Sequence, residues 1–327
     1  MPLVVCAGLL LVLAATDAAR AADDGLGSLI APGARPERVA YGTAFAEGPA
    51  WSPAGFLLFV DVRRQAILRL ADEAAGAVDT VLKPSGGVSG LAFDAGGRLH
   101  AAQGGSRRIV RFDDLHRPEP KVIADAFDGR KLNSPNDLAL DPHGGIYFTD
   151  PRHRAGGAAL EQPVMGVYHV DVSSGEVRRV IDDLEYPNGV RVSADGSALY
   201  VADTRRGELW RFAILAPGRL GERKLLFSGD PVLDGPGPDG IALDSRGNVY
   251  ATYRSLVVVA PDGRALGRIP FDERPTNCTF GGSDWKTLYV TVRSGVFRIR
   301  MLVEGVRPFT QVSAVAETAA RPQLAGD

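Results

Sequence analysis

Beyond residue 40 the apolar residues of this chain fall in short runs of roughly four to six positions, each bounded by a glycine- or aspartate-containing turn, as strands are. Residues 56–61, 98–103, 145–150, 198–203, 248–253 and 287–291 are rich in Val, Tyr, Phe and Leu and follow such turns. A further strand closes each unit at 67–70, 109–112, 166–170, 208–212, 255–259 and 295–300. A fourth is predicted at 81–82, 121–123, 177–181, 224–227 and 265–269. No long amphipathic helical spacing interrupts this series.

One phrase heads each unit: EGPAWS (47–52), VSGLAFD (88–94), PNDLALD (135–141), PNGVRVS (187–193), PDGIALD (238–244) and TNCTFGG (276–282). Aligned on Ser52, Asp94, Asp141, Ser193, Asp244 and Gly281, the copies recur at intervals of about 37 to 52 residues. Six such units of short strands predict an all-β chain folded as a six-bladed β-propeller over residues 41–310. A β-sandwich has no reason to repeat one phrase six times.

Length and charge agree with one closed domain. Six repeats use nearly all of the 327 residues, and 37 basic against 39 acidic residues give a net charge of -2. That balance argues against a nucleic-acid partner. The first 22 residues differ from the rest: an apolar run at 4–15 precedes a small-x-small site at Ala19, Arg20 and Ala21. This reads as a secretory signal peptide although no Lys or Arg precedes it, and it predicts a secreted or periplasmic protein with no membrane association after cleavage. Residues 23–40 read as a linker or N-terminal edge segment and 311–327 as a tail. The mature chain would retain only Cys278, so no internal disulfide forms, and Cys278 reads as a small buried residue.

The repeats carry candidate chemistry when read as a column. Five residues before each anchor stand Glu47, Ser89, Asn136, Asn188 and Asp239, and four before the sixth stands Asn277. In a propeller the starts of the innermost strands ring one mouth of the central channel. Two carboxylates, three carboxamides and a hydroxyl would meet there. An all-oxygen set with two negative charges suits a hard divalent cation such as calcium, with Mg2+, Mn2+ or Zn2+ as alternatives. Taken alone, any one of Asn136, Asn188 or Asp239 reads first as a turn residue that hydrogen-bonds its own backbone. Glu47 argues against turns alone, because it sits in an apolar run and needs a partner if buried.

A second column, Asp61, Asp150 and Asp203, ends the strands that follow. It reads either as strand-end hydrogen bonding or as a wall of the pocket. Arg63, Arg64, Arg152, Arg154, Arg205 and Arg206 come directly after it, as solvated loop residues or as contacts for an acidic or polyhydroxylated ligand. No G-x-S-x-G nucleophile motif occurs.

At these residues the chain resembles the gluconolactonase, senescence-marker-protein and luciferin-regenerating-enzyme family, over about residues 41–301. The stretches that carry the resemblance are FAEGP (45–49), LNSPND (132–137), YPNG (186–189), PDG (238–240) and TNCTFGG (276–282). The LNSPNDL form is most like bacterial gluconolactonases. The resemblance implies a six-bladed propeller with one divalent metal, usually calcium, and a small lactone substrate hydrolysed to a sugar acid. It implies Glu47, Asn188 and Asp239 as metal ligands, with Asn136 beside the metal or holding substrate.

On that chemistry Asp239 is the candidate general base, with Asp203 as its competitor, and Asn133, Asn136, Asn277 and Asp203 are candidate substrate contacts. Hydrolysis of another lactone, ester or phosphotriester is the alternative on the same scaffold. A calcium-stabilised propeller that only binds is a further one. A monomer is the default state of a closed propeller.

Overall fold

The computed structural model describes residues 25–152 and 161–310. The signal-peptide reading, the tail at 311–327 and Arg154 lie outside the described residues. The described residues are essentially all β, with six four-stranded antiparallel sheets and one small two-stranded hairpin, Ala126–Phe127 with Arg130–Lys131. Blades 1 to 5 are contiguous in sequence and span residues 46–82, 88–124, 138–181, 187–228 and 241–269. Successive innermost strands touch, and Ala46–Ser52 of blade 1 touches Pro275–Gly281 of blade 6, so the ring closes.

Closure depends on the segment that reads as a linker or edge. Glu37–Tyr41 pairs antiparallel with Gly295–Arg300 and is the outermost strand of blade 6. The last blade is thus built from both ends of the chain, which leaves no sheet waiting for a partner. Val39 and Ala40 are fully buried in that seam. Ile30 also bridges Met301.

Burial follows position within a blade. The second strands are the most buried, at every residue in Ile146–Asp150 and Ala198–Asp203 and at all but the first in Phe56–Asp61 and Thr287–Val292, because neighbouring blades cover both faces. The outermost strands alternate or lie open, as in Ala77–Leu82. The core therefore lies between blades. Cys278 packs with Tyr250, Leu256, Leu288 and Val290 between blades 5 and 6, and burial pushes its thiol up to about 12, so it stays protonated and inert.

The repeat anchors serve the mouth opposite the innermost strand starts. Asp141 accepts from the turn amides of His143 and Gly145 and pairs with His169 at 2.8 Å. Asp244 accepts from Arg246, Asn248 and Tyr250 in the same way. The segment after blade 6 crosses this mouth, where Val306 donates to Leu243 and an apolar cavity of about 130 Å³ lies against Trp51, Phe93, Phe280 and Phe309.

Candidate functional site

The innermost strands all start at one mouth of the channel, and the column of polar residues gathers there. The Asn188 Nδ2 donates to Asp239 Oδ1 at 2.7 Å and to Thr204 Oγ1 at 3.0 Å. The Asn277 Nδ2 donates to Glu47 Oε2 at 3.2 Å, and Gly48 N donates to the same oxygen. Each carboxylate is therefore gripped by a carboxamide from a neighbouring blade. Glu47, Asn136, Asn188 and Asn277 are buried and Asp239 is partly exposed.

The glycine after these residues has a packing role that turn chemistry does not describe. Gly189 and Gly240 lack the positive φ of turn glycines, yet a Cβ on Gly189 would strike the Asp239 carbonyl and one on Gly240 would overlap the Asn277 side chain. The missing side chain lets the next blade's polar residue close onto the ring. Threonines fasten the same joints: Thr149 Oγ1 donates to Asn188 O, Thr204 Oγ1 to Pro238 O and Thr276 Oγ1 to Ala46 O.

In blade 3 the glycine place is taken by Asp137. It is 1% exposed and pairs with Arg191 of blade 4 at 2.8 Å. Sequence reading passes over Asp137 and Arg191. The signal was a charged residue in a column otherwise small, which demands a partner from the blade packed against it.

The second aspartate column orients the first. Asp61 accepts from the amides of Ala44 and Phe45, Asp150 from Asn133 and Ser134, and Asp203 from Glu185 and Tyr186. In each case these amides lie three and two residues before the site residue, Glu47, Asn136 or Asn188. All three aspartates are fully buried. Asp203 thus fixes the approach to Asn188 and spends both oxygens on backbone, which is a different place from the channel wall.

Of the other candidates, Asn277 uses both ends of its carboxamide, since its Oδ1 accepts from Cys278 N. It positions Glu47. Asn133 donates to Val164 O and Asp150 O, and its Oδ1 is buried without a hydrogen-bond partner. Asn136 holds its strand start through its own amide, bonded to Thr149 O.

The electrostatics of the mouth are dominated by buried negative charge. Burial, and then the Asp239 carboxylate, push Glu47 well above its ordinary value of 4.5. Burial raises Asp239 to about 6, although the Arg274 guanidinium and Asn188 work the other way. Burial also raises Asp150 to about 7. Tyr186 is pushed up to about 12 by burial and then by the charge of Asp239.

Among the described residues no group of three or more His, Cys, Asp or Glu side chains could hold a metal by itself. The set at the mouth is two carboxylates with carboxamides. Asn188 spends its Nδ2 on Asp239 and Thr204, so its Oδ1 is the atom left to a cation. Two acids at one mouth, Glu47 raised by burial and by Asp239, and Asp239 raised by burial and by Asp137, are the arrangement a divalent cation relieves. The donor chemistry fits a hard ion.

Residues 45–294 match the family described as the SMP-30/Gluconolactonase/LRE-like region. The gluconolactonase of Zymomonas mobilis is 30% identical over 292 residues, which cover 81% of this chain and 80% of that protein. The 6-deoxy-6-sulfogluconolactonase of Pseudomonas putida is 30% identical over 256 residues, 75% of this chain and 82% of that one. The solved structure of XC5397 from Xanthomonas campestris, described as a gluconolactonase, superposes with a TM-score of 0.76 at 30% identity, covering 84% of this chain and 92% of its own. With that match over most of its length, this chain belongs to the SMP-30/gluconolactonase/LRE-like family.

Proposed function

We propose that this protein is a metal-dependent lactonase that opens an aldonolactone such as glucono-1,5-lactone to the aldonic acid. The observation that carries the reading is the meeting of Glu47 and Asp239, from blades 1 and 5, at one channel mouth, each held by a carboxamide and each raised in proton affinity by burial. Glu47, Asn188 and Asp239 would hold the ion. An all-oxygen donor set favours calcium over zinc. A cation bound there supplies a Lewis acid for the carbonyl oxygen and for the charge that develops on it.

The chain's own residues divide the remaining work. Asp239 is partly exposed at the mouth, and Asn188 fixes its Oδ1. Its Oδ2 is the atom assigned to take a proton from the attacking water, a task that requires a base within hydrogen-bond reach of that water. Glu47, more deeply buried and pinned by Gly48 N and Asn277, is assigned to the ion alone. Asn136, at the place in its repeat that Asn188 and Asp239 hold in theirs, is assigned as the substrate contact. The relatives support the reading by their names, which specify lactones of the gluconate type.

The test is hydrolysis of glucono-1,5-lactone followed by proton release, after chelation and again after calcium is restored. Turnover should vanish and return. Asp239→Asn should lower kcat by about 10²–10⁴, the usual worth of a general base, with the fold retained. Turnover that survives chelation would remove the metal from the scheme, and an active Asp239→Asn protein would remove the base.

A further inference from the structure

The site face carries a charge pattern that the hydrolysis of a neutral lactone does not use. In blade 1 the turn after Asp61 holds Arg63 and Arg64, and in blade 4 the turn after Asp203 holds Arg205 and Arg206. The two turns are built alike. Arg64 is tied to Asp61 and to Gly42 O, and Arg206 is tied to Glu185 at 3.1 Å. The first arginine of each pair stays exposed and, among the described residues, has no carboxylate partner.

Each of these two lies over an aromatic ring instead: Arg63 over Phe45 and Arg205 over Tyr186, both 5.9 Å from the ring centroid. Phe45 and Tyr186 stand two residues before Glu47 and Asn188. Their amides are the ones held by Asp61 and Asp203, so the ring positions are set by the same caps that set the site. In a closed ring of six, blades 1 and 4 face each other across the channel. The mouth is therefore flanked from opposite sides by two guanidinium groups.

A guanidinium laid on an aromatic face keeps its N–H edge free, and that edge matches the paired oxygens of a carboxylate, phosphate or sulfonate. Stacking also removes part of the rotamer freedom that makes exposed arginines poor binders. Once the carboxylates at the centre are neutralised by the ion, these two guanidinium groups add positive charge to the field that a substrate meets.

We propose that the site is built for a lactone that carries a second, anionic group, a carboxylate, phosphate or sulfonate remote from the ring carbonyl, and that Arg63 and Arg205 recognise it. The inference rests on the lactonase reading for its reaction, but not for its binding test. The two guanidinium groups are specificity residues and take no part in opening the ring.

The experiment compares glucono-1,5-lactone with 6-phosphoglucono-1,5-lactone and with the monolactone of glucaric acid on the calcium-loaded protein. KM for at least one acidic lactone should be about tenfold below that for the neutral one, the worth of one charge-assisted hydrogen bond. Which acidic lactone gains tells phosphate from carboxylate. The neutral-to-acidic KM ratio should fall toward one in Arg63→Gln and Arg205→Gln, and in about 0.5 M salt, where exposed charges are screened. Arg205→Lys should restore part of it.

Calorimetry of glucarate and of 6-phosphogluconate against gluconate reads the same preference without turnover. Absence of turnover on every lactone would sink the lactonase reading alone, if either of the two still binds more tightly than gluconate and the glutamine variants abolish the difference. Equal binding of all three acids, or a preference that survives both variants, overturns the proposal whatever the activity.

Discussion

Removing the Asp203 carboxylate would leave the amides of Glu185 and Tyr186 without their acceptor, three and two residues before Asn188. Each buried amide left unsatisfied costs about 1–3 kcal/mol. Asp203→Ala should therefore lower the melting temperature by several degrees and weaken calcium binding, because Asn188 loses its fixed approach. At saturating calcium its kcat should recover to within a few-fold of wild type. A kcat loss as large as that of Asp239→Asn would instead make Asp203 the base. The residue columns themselves were legible: Glu47, Asn188 and Asp239 stand at equivalent places in the repeat. Their division of labour was not, because whether Asn277 touches substrate or Glu47 depends on which blade closes on which. Asp137 and Arg191 went unread for the same reason.

At the scale of elements, the four strands of blades 1 to 5 could be read from local runs and turns, since each blade is one stretch of chain. The strand Glu37–Tyr41 could not. Its partner lies at the other end of the chain, and an outermost strand with one buried flank has a weak pattern of its own. Val39 is fully buried beside Tyr289 and Val296 in that seam. Val39→Asp places an unpaired charge there and should cost about 3–5 kcal/mol, read as an early loss of cooperative thermal unfolding. An unchanged transition would mean that blade 6 does not depend on its N-terminal strand. The short hairpin between blades 2 and 3 also went unread, being two residues a side.

For the molecule as a whole, the buried acids link stability to pH. Glu47, Asp239 and Asp150 have raised values in the fold, so the metal-free folded state holds more protons than the unfolded chain between about pH 4 and pH 7. Stability then falls as pH rises through that window. Carboxylates held low, such as Asp94 and Asp141, act in the opposite sense, but their effect is complete once pH passes the unfolded carboxylate range near 4. Chelated protein should therefore lose on the order of 2 kcal/mol between pH 5 and pH 7, allowing for the solvent that reaches Asp239. Asp239→Asn should flatten that slope, and calcium should reverse it. A chelated protein as stable at pH 7 as at pH 5 would mean that these carboxylates do not strain the empty fold.

The amino-acid sequence by itself determined the architecture and the chemical types at the channel mouth. A sixfold phrase can bury its apolar strands only by stacking blade on blade, and strand starts in such a ring must converge. Tertiary structure decided what convergence does. It set Asn277 on Glu47 and Asn188 on Asp239, turned Asp61, Asp150 and Asp203 inward onto backbone amides, and joined the chain ends in blade 6. It also left Arg63 and Arg205 on aromatic rings while their neighbours were paired. These outcomes depend on distances between residues remote in sequence, and a hydrogen bond forms only within a narrow range of distance and angle. A periodic pattern carries which residues meet at a mouth, but it does not carry which atom of one faces which atom of another.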